Sequence, residues 1–212
     1  MRNIVANRAQ TAYNCGVYSL WMALESISGR DNDLIRSITH YAKMYTDSMG
    51  GIFNNVHMER VIEALGYSCK KVGFHDVGSF VRNVNNHQND AILLAYSLDM
   101  LDGDELPANT EPGDSAHWSV LTRLNQQGNN ATIANPHGWD EDCDLGLLVN
   151  ANTALKNSRF NWKTFVNAQL ANPEGSAQFE REMKLYKNTK EELVKRGRQD
   201  IHLGNYFLAI NN

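Results

Sequence analysis

The stretch Asn14-Cys15-Gly16-Val17-Tyr18-Ser19-Leu20-Trp21-Met22-Ala23-Leu24 constrains the chain most. Val17, Leu20, Trp21, Leu24 and Ile27 recur at the i, i+3, i+4, i+7 spacing of a buried helix stripe, so a helix is expected over 15–28. Asn14 is suited to cap its start and Gly29 to stop its end. The helix therefore opens on a thiol. A cysteine pKa of about 8.5 falls at a helix N-terminus beside a cationic partner, and the thiolate is the nucleophilic form. Cys15 stands where such a nucleophile would be placed, whereas Cys69 and Cys143 read as buried structural cysteines.

Two more helices are expected over 33–45 and 55–65, the second closed by Gly66 in the left-handed position. Beyond Gly66 the pattern changes to short strands over 67–72, 91–98, 118–124 and 131–134, with a helix over 77–84 and an acidic loop over 100–114. Asn125-Gln126-Gln127-Gly128-Asn129-Asn130 joins the last two of these strands as a hairpin. A strand over 145–149, helices over 162–170 and 176–195, and a final strand over 206–210 complete the order. The expected fold class is α+β, one domain over 1–212, mainly helical to 66 and sheet-rich with C-terminal helices after it.

Composition narrows the partners. With 42% hydrophobic and 21% charged residues, the 212-residue chain has the make-up of an ordinary soluble globule. A net charge of -4 and a pI near 6.0 leave no basic field for phosphate, so no nucleic-acid partner is expected. No apolar run approaches the roughly 18 to 20 residues of a membrane span, so no membrane partner is expected either. Met1-Arg2-Asn3-Ile4-Val5-Ala6-Asn7 lacks the apolar centre of a signal peptide, and three cysteines are a sparse, odd set that argues for a reducing compartment. The expected location is the cytoplasm, or a host cell reached by secretion without a cleavable signal. No closely spaced pair such as Cys-x-x-Cys is present, so no metal or other cofactor is expected. Asp140-Glu141-Asp142-Cys143-Asp144 lacks the alternating ligands of a calcium loop and reads as a solvated acidic loop.

From Gln10 to Leu24 the chain resembles the papain-like cysteine peptidases. Within them it is similar to the bacterial branch that cleaves double-glycine leader peptides, and to the cytoplasmic relatives of that branch. Those proteins carry a glutamine shortly before a Cys-Gly pair that opens a helix, and Gln10 and Cys15-Gly16 match the pattern. The resemblance implies a papain-like fold, a thiol hydrolase of amide bonds, and a protein or peptide substrate. It further implies that the Cys15 amide and the Gln10 side chain form an oxyanion hole. Members of the family include bacterial virulence effectors, both proteases and deamidases.

The family places its base at the start of a strand far downstream of the cysteine, and Ala116-His117-Trp118-Ser119 fits. Its orienting Asn or Asp lies on the next strand, where Ala134-Asn135-Pro136 stands. Strand pairing supports this without the family: if Leu124 pairs with Gly128 across a three-residue turn, His117 stands opposite Asn135. A slip of one residue would break the match. His137 and Asp140 lie close enough to Asn135 in sequence to be mistaken for it, and Asp114 is a further candidate orienter. Trp118 and Trp139 flank the two strands, either shielding the His–Asn contact or packing in the core. The expected function is a cysteine protease with a Cys15-His117-Asn135 triad and Gln10 in the oxyanion hole. A glutamine deamidase or transglutaminase-like effector acting on a host protein is the alternative. A binding module that keeps the frame without turnover is a second one.

Overall fold

The apolar stripes of three consecutive helices need a common surface, and the strands that follow supply it. The computed structural model describes residues 14–29, 31–45, 54–103, 106, 110–125, 127, 129–171, 173–185 and 187–212. Helices α1 (Cys15–Ser28), α2 (Leu34–Tyr45) and α3 (Asn55–Ala64) come first. They are followed by β1 (Ser68–Gly73), α4 (Val77–Asn86), β2 (Ala91–Ser97) and the short α5 (Leu98–Leu101). Strands β3 (Ala116–Asn125), β4 (Asn130–Asn135) and β5 (Trp139–Asp144) then run into α6 (Leu145–Thr153). The chain closes with β6 (Arg159–Asn161), α7 (Trp162–Ala171), α8 (Pro173–Leu185), α9 (Lys190–Arg196), β7 (Arg198–Asp200) and β8 (Tyr206–Asn211). Six strands form one antiparallel sheet in the order β1-β8-β2-β3-β4-β5, and β6 pairs with β7 separately.

Both faces of the sheet are covered. Helices α1, α2 and α3 bury Val17, Leu20, Ile38 and Val61 against Leu93, Trp118, Val120 and Leu208. On the opposite face, Phe80 of α4 and Leu148 of α6 pack with Ile92, Leu94, Leu121, Ile133 and Phe207. Strand β2 is therefore buried along its whole length, which is why it reads as an unbroken apolar run and not as an alternation.

Several expectations are corrected. Residues 145–149 are not a strand: the Leu147 amide donates to the Asp144 side chain, which caps α6. The acidic segment before it is not a solvated loop but the edge strand β5, with Asp140, Asp142 and Asp144 exposed and Glu141 and Cys143 half-buried. An edge strand pairs through its main chain and tolerates charge on its side chains, so the period of two is present in burial while hydropathy hides it. The single helix expected over 176–195 is two, because Thr189 and Glu192 form a fresh capping box ahead of α9. The span expected as an acidic loop overlaps the end of α5 and most of a 3-10 turn, Pro112–Ser115. Asn14 occupies the cap position of α1, yet its side chain makes no capping hydrogen bond. Gln10, the loop at 48–51, and Gln126 and Gly128 of the hairpin turn lie outside the described residues.

Candidate active site

Helix α1 begins where β4 has stopped pairing with β3. The ladder between those strands starts at Val120 and Ala134, so Trp118 lies beyond it and meets α1 instead. Ser19 Oγ donates to the Trp118 carbonyl at 2.8 Å, and the Trp118 main chain hydrogen-bonds the Cys15 thiol. The start of the helix is thus fastened to the residue that follows His117. Burial pushes the Cys15 thiol up to about 11, against the main-chain hydrogen bonds of Trp118, Gly16 and Cys15 itself, which pull it down. The lowered thiol expected from the helix start is therefore not what the structure holds: desolvation outweighs the amides.

His117 and Asn135 meet by a different register from the expected one. Leu124 faces Ala131 where pairing with Gly128 was expected, a slip of three residues that would by itself turn Asn135 to the face opposite His117. A bulge between Leu121 and Arg123 removes one residue of that slip, and Leu121 then faces Ile133. The remaining even shift returns the two side chains to one face as diagonal neighbours, within reach of each other. His117 Nε2 lies 3.3 Å from Asn135 Oδ1. Both residues are buried. Burial pushes His117 down to about 4, with nearby His137 acting in the same direction and the Asn135 hydrogen bond opposing it. The ring is neutral at pH 7.

Asn135 is held from further sides: the His137 amide donates to Oδ1 at 3.0 Å, and Nδ2 donates to Glu141 Oε2 at 2.8 Å. The His137 ring stacks on His117, with centroids 5.1 Å apart and planes 5° from parallel, and Trp139 stacks on the outer side of His137 at 5.3 Å. Tyr96 packs edge-on to His117 at 5.8 Å and shares a hydrogen bond with Ser119. Its hydroxyl is held well above the ordinary tyrosine range, chiefly by burial and further by the nearby Glu141 carboxylate, against the Ser119 hydrogen bond. The ring next to His117 is thus His137, not a tryptophan: Trp118 belongs to the core on the α1 face, and Trp139 is 55% exposed.

The other candidates fall elsewhere. Asp114 accepts from the main-chain amides of Asn161 and Glu111 and ties the 3-10 turn to β6. Asp140 pairs with Ala134, which sets it on the sheet face opposite Asn135. Glu141 and Tyr96 are not singled out from the sequence, and His137 is noted there only as a residue that could be mistaken for Asn135. For Glu141 the available signal is parity along β5, two residues from Trp139, the register partner of Asn135. Among the described residues no three His, Cys, Asp or Glu side chains are grouped so as to hold a metal ion.

A family model described as actin maturation protease-like, C-terminal domain, matches residues 5–124, a span that includes Cys15 and His117 and ends before Asn135. A search of curated proteins finds no match to the chain.

Proposed function

Because the chain belongs to the family of actin maturation protease-like C-terminal domains, which is related to the papain-like cysteine proteases, we propose that it is a cysteine peptidase acting through Cys15, His117 and Asn135. The observation that carries this reading is the His117–Asn135 contact at 3.3 Å, on a strand whose next residue, Trp118, accepts a hydrogen bond from Ser19 of the helix that Cys15 opens. In it, Asn135 Oδ1 accepts from Nε2 and leaves Nδ1 as the base. Thiol and imidazole rest neutral, since burial raises one pKa and lowers the other. Attack on the scissile carbonyl carbon forms the C–S bond while the thiol proton passes to Nδ1. The negative oxygen is received by the amides at the start of α1 and by the Gln10 side chain, an arrangement like that of the leader peptidases. The imidazolium returns its proton to the departing nitrogen as the C–N bond breaks, leaving a thioester. Water, deprotonated by the same ring, then releases the acid and restores the thiol.

The substrate class in this reading is a protein or peptide, and the family's description makes actin the first protein to test. All three cysteines are free, which favours a reducing compartment such as the cytoplasm. Incubation with monomeric actin and with a peptide library, read by mass spectrometry for new termini, tests the activity. Wild type is expected to generate them, and Cys15→Ala or His117→Ala to lower the rate by about a thousandfold or more. Cleavage that persists unchanged in Cys15→Ala overturns the reading, and a mass change at glutamine without a new terminus would replace peptidase by deamidase.

A further inference from the structure

We propose that Glu141 is a positioning residue of this site, which sets the tautomer of His117 by fixing which way the Asn135 amide faces. The inference rests on the Cys15-His117-Asn135 reading above and extends it to a residue on the edge strand. A primary amide can present either its oxygen or its nitrogen in nearly the same shape, so its partners decide. Asn135 has three. The Glu141 carboxylate only accepts and draws Nδ2 to 2.8 Å, whereas the His137 amide only donates and draws Oδ1 to 3.0 Å. With the amide held from both ends, Oδ1 is the atom that faces His117 Nε2 at 3.3 Å.

The consequence reaches the thiol. An oxygen facing Nε2 requires the ring proton to sit there, and Nδ1 is left free to accept. A turned amide would place Nδ2 against Nε2, move the ring proton to Nδ1, and remove the base. It would also set the Asn135 oxygen against the Glu141 carboxylate, two acceptors with no proton between them. Glu141 is half-buried on β5 and Asn135 is 2% exposed, so water does not easily take over either role. The groups that face the ring are His137 from the turn after β4, Tyr96 from β2 and Asn135 from β4, and none of them except Asn135 hydrogen-bonds Nε2 among the described residues.

Glu141→Gln is the isosteric test, because glutamine can donate as well as accept and so removes one of the two contacts that penalise a turned amide, leaving only the His137 amide. The probe is iodoacetamide, with Cys15 alkylation followed by mass spectrometry at pH 7. Glu141→Gln is expected to slow Cys15 alkylation about tenfold, with thermal unfolding little changed. Asn135→Asp alone sets two carboxylates face to face and is expected to be slow as well. The double variant Asn135→Asp with Glu141→Gln pairs an obligate acceptor with a donor and is expected to return the rate to within about threefold of wild type. A residue that merely supports the sheet does not produce that rescue. Nitrogen-15 NMR of the His117 ring needs no nucleophile: wild type should carry the proton on Nε2, and Glu141→Gln should show both tautomers. Equal rates and spectra in wild type and Glu141→Gln, or a double variant no faster than Glu141→Gln, overturn the proposal. Alkylation insensitive to His117→Ala would defeat the thiol reading alone, and the ring spectra would still decide the role of Glu141.

Discussion

A buried imidazole that stays neutral couples the fold to pH. His117 is 4% exposed and its pKa is pushed down to about 4, whereas an unfolded chain takes up that proton near about 6.5. Between those values the unfolded state binds more protons, so the contribution is intact above pH 6.5 and is lost as the pH falls toward 4. The gap corresponds to about 3 kcal/mol. His137 is lowered too, by its own partial burial, and adds in the same direction. Urea unfolding at pH 7 and at pH 4.5 measures this: wild type should lose stability on acidification, and His117→Gln should lose about 2 kcal/mol less. Identical losses in the two proteins would show that His117 is not held neutral. At this scale the sequence marks Cys15 by the helix it opens, and His117 and Asn135 by the family resemblance and strand pairing; the structure brings the last two into contact. Glu141 is not marked, since its role depends on a partner across the sheet.

Elements decide which of these side chains share a face. The helix over Cys15–Ser28 and the strand Ala91–Ser97 were legible because apolar spacing is a local property. The bulge in β3 was not legible, although without it Asn135 would point away from His117. The entry to β3 is equally constrained. Gly113, in the turn Pro112–Ser115, donates to Ser158 Oγ at 2.7 Å, and a Cβ there would lie 2.5 Å from the Arg159 carbonyl oxygen and 2.8 Å from Ile201. Main chain cannot give way as a long side chain would. Gly113→Ala is therefore expected to cost about 2 kcal/mol and to shift the start of β3, with slower Cys15 alkylation as the second sign. Denaturant midpoints matching wild type would show that β6 can move aside.

Across the whole molecule, the layer that carries β3 and β4 is held to its neighbours by a buried amide. Asn152 of α6 donates from Nδ2 to the Ala95 carbonyl at 2.7 Å and accepts from the Asn205 amide at 2.8 Å, joining α6 to β2 and to the turn before β8. Its relative exposure is 0%, so truncating it strands main-chain groups that water cannot reach. Asn152→Leu is expected to destabilise the protein by about 2 to 4 kcal/mol, measured as a lower urea midpoint with an unchanged slope. A changed slope would point instead to a loosened native state. The helical first third, the two-sided burial of β2 and the placement of a thiol at a helix start follow from the sequence alone, because periodicity, caps and glycine stops act between near neighbours. The face shared by His117 and Asn135, the carboxylate behind them, and the neutral forms of thiol and ring were decided only by tertiary structure. Register and desolvation arise from contacts between segments far apart along the chain, and no local pattern encodes them.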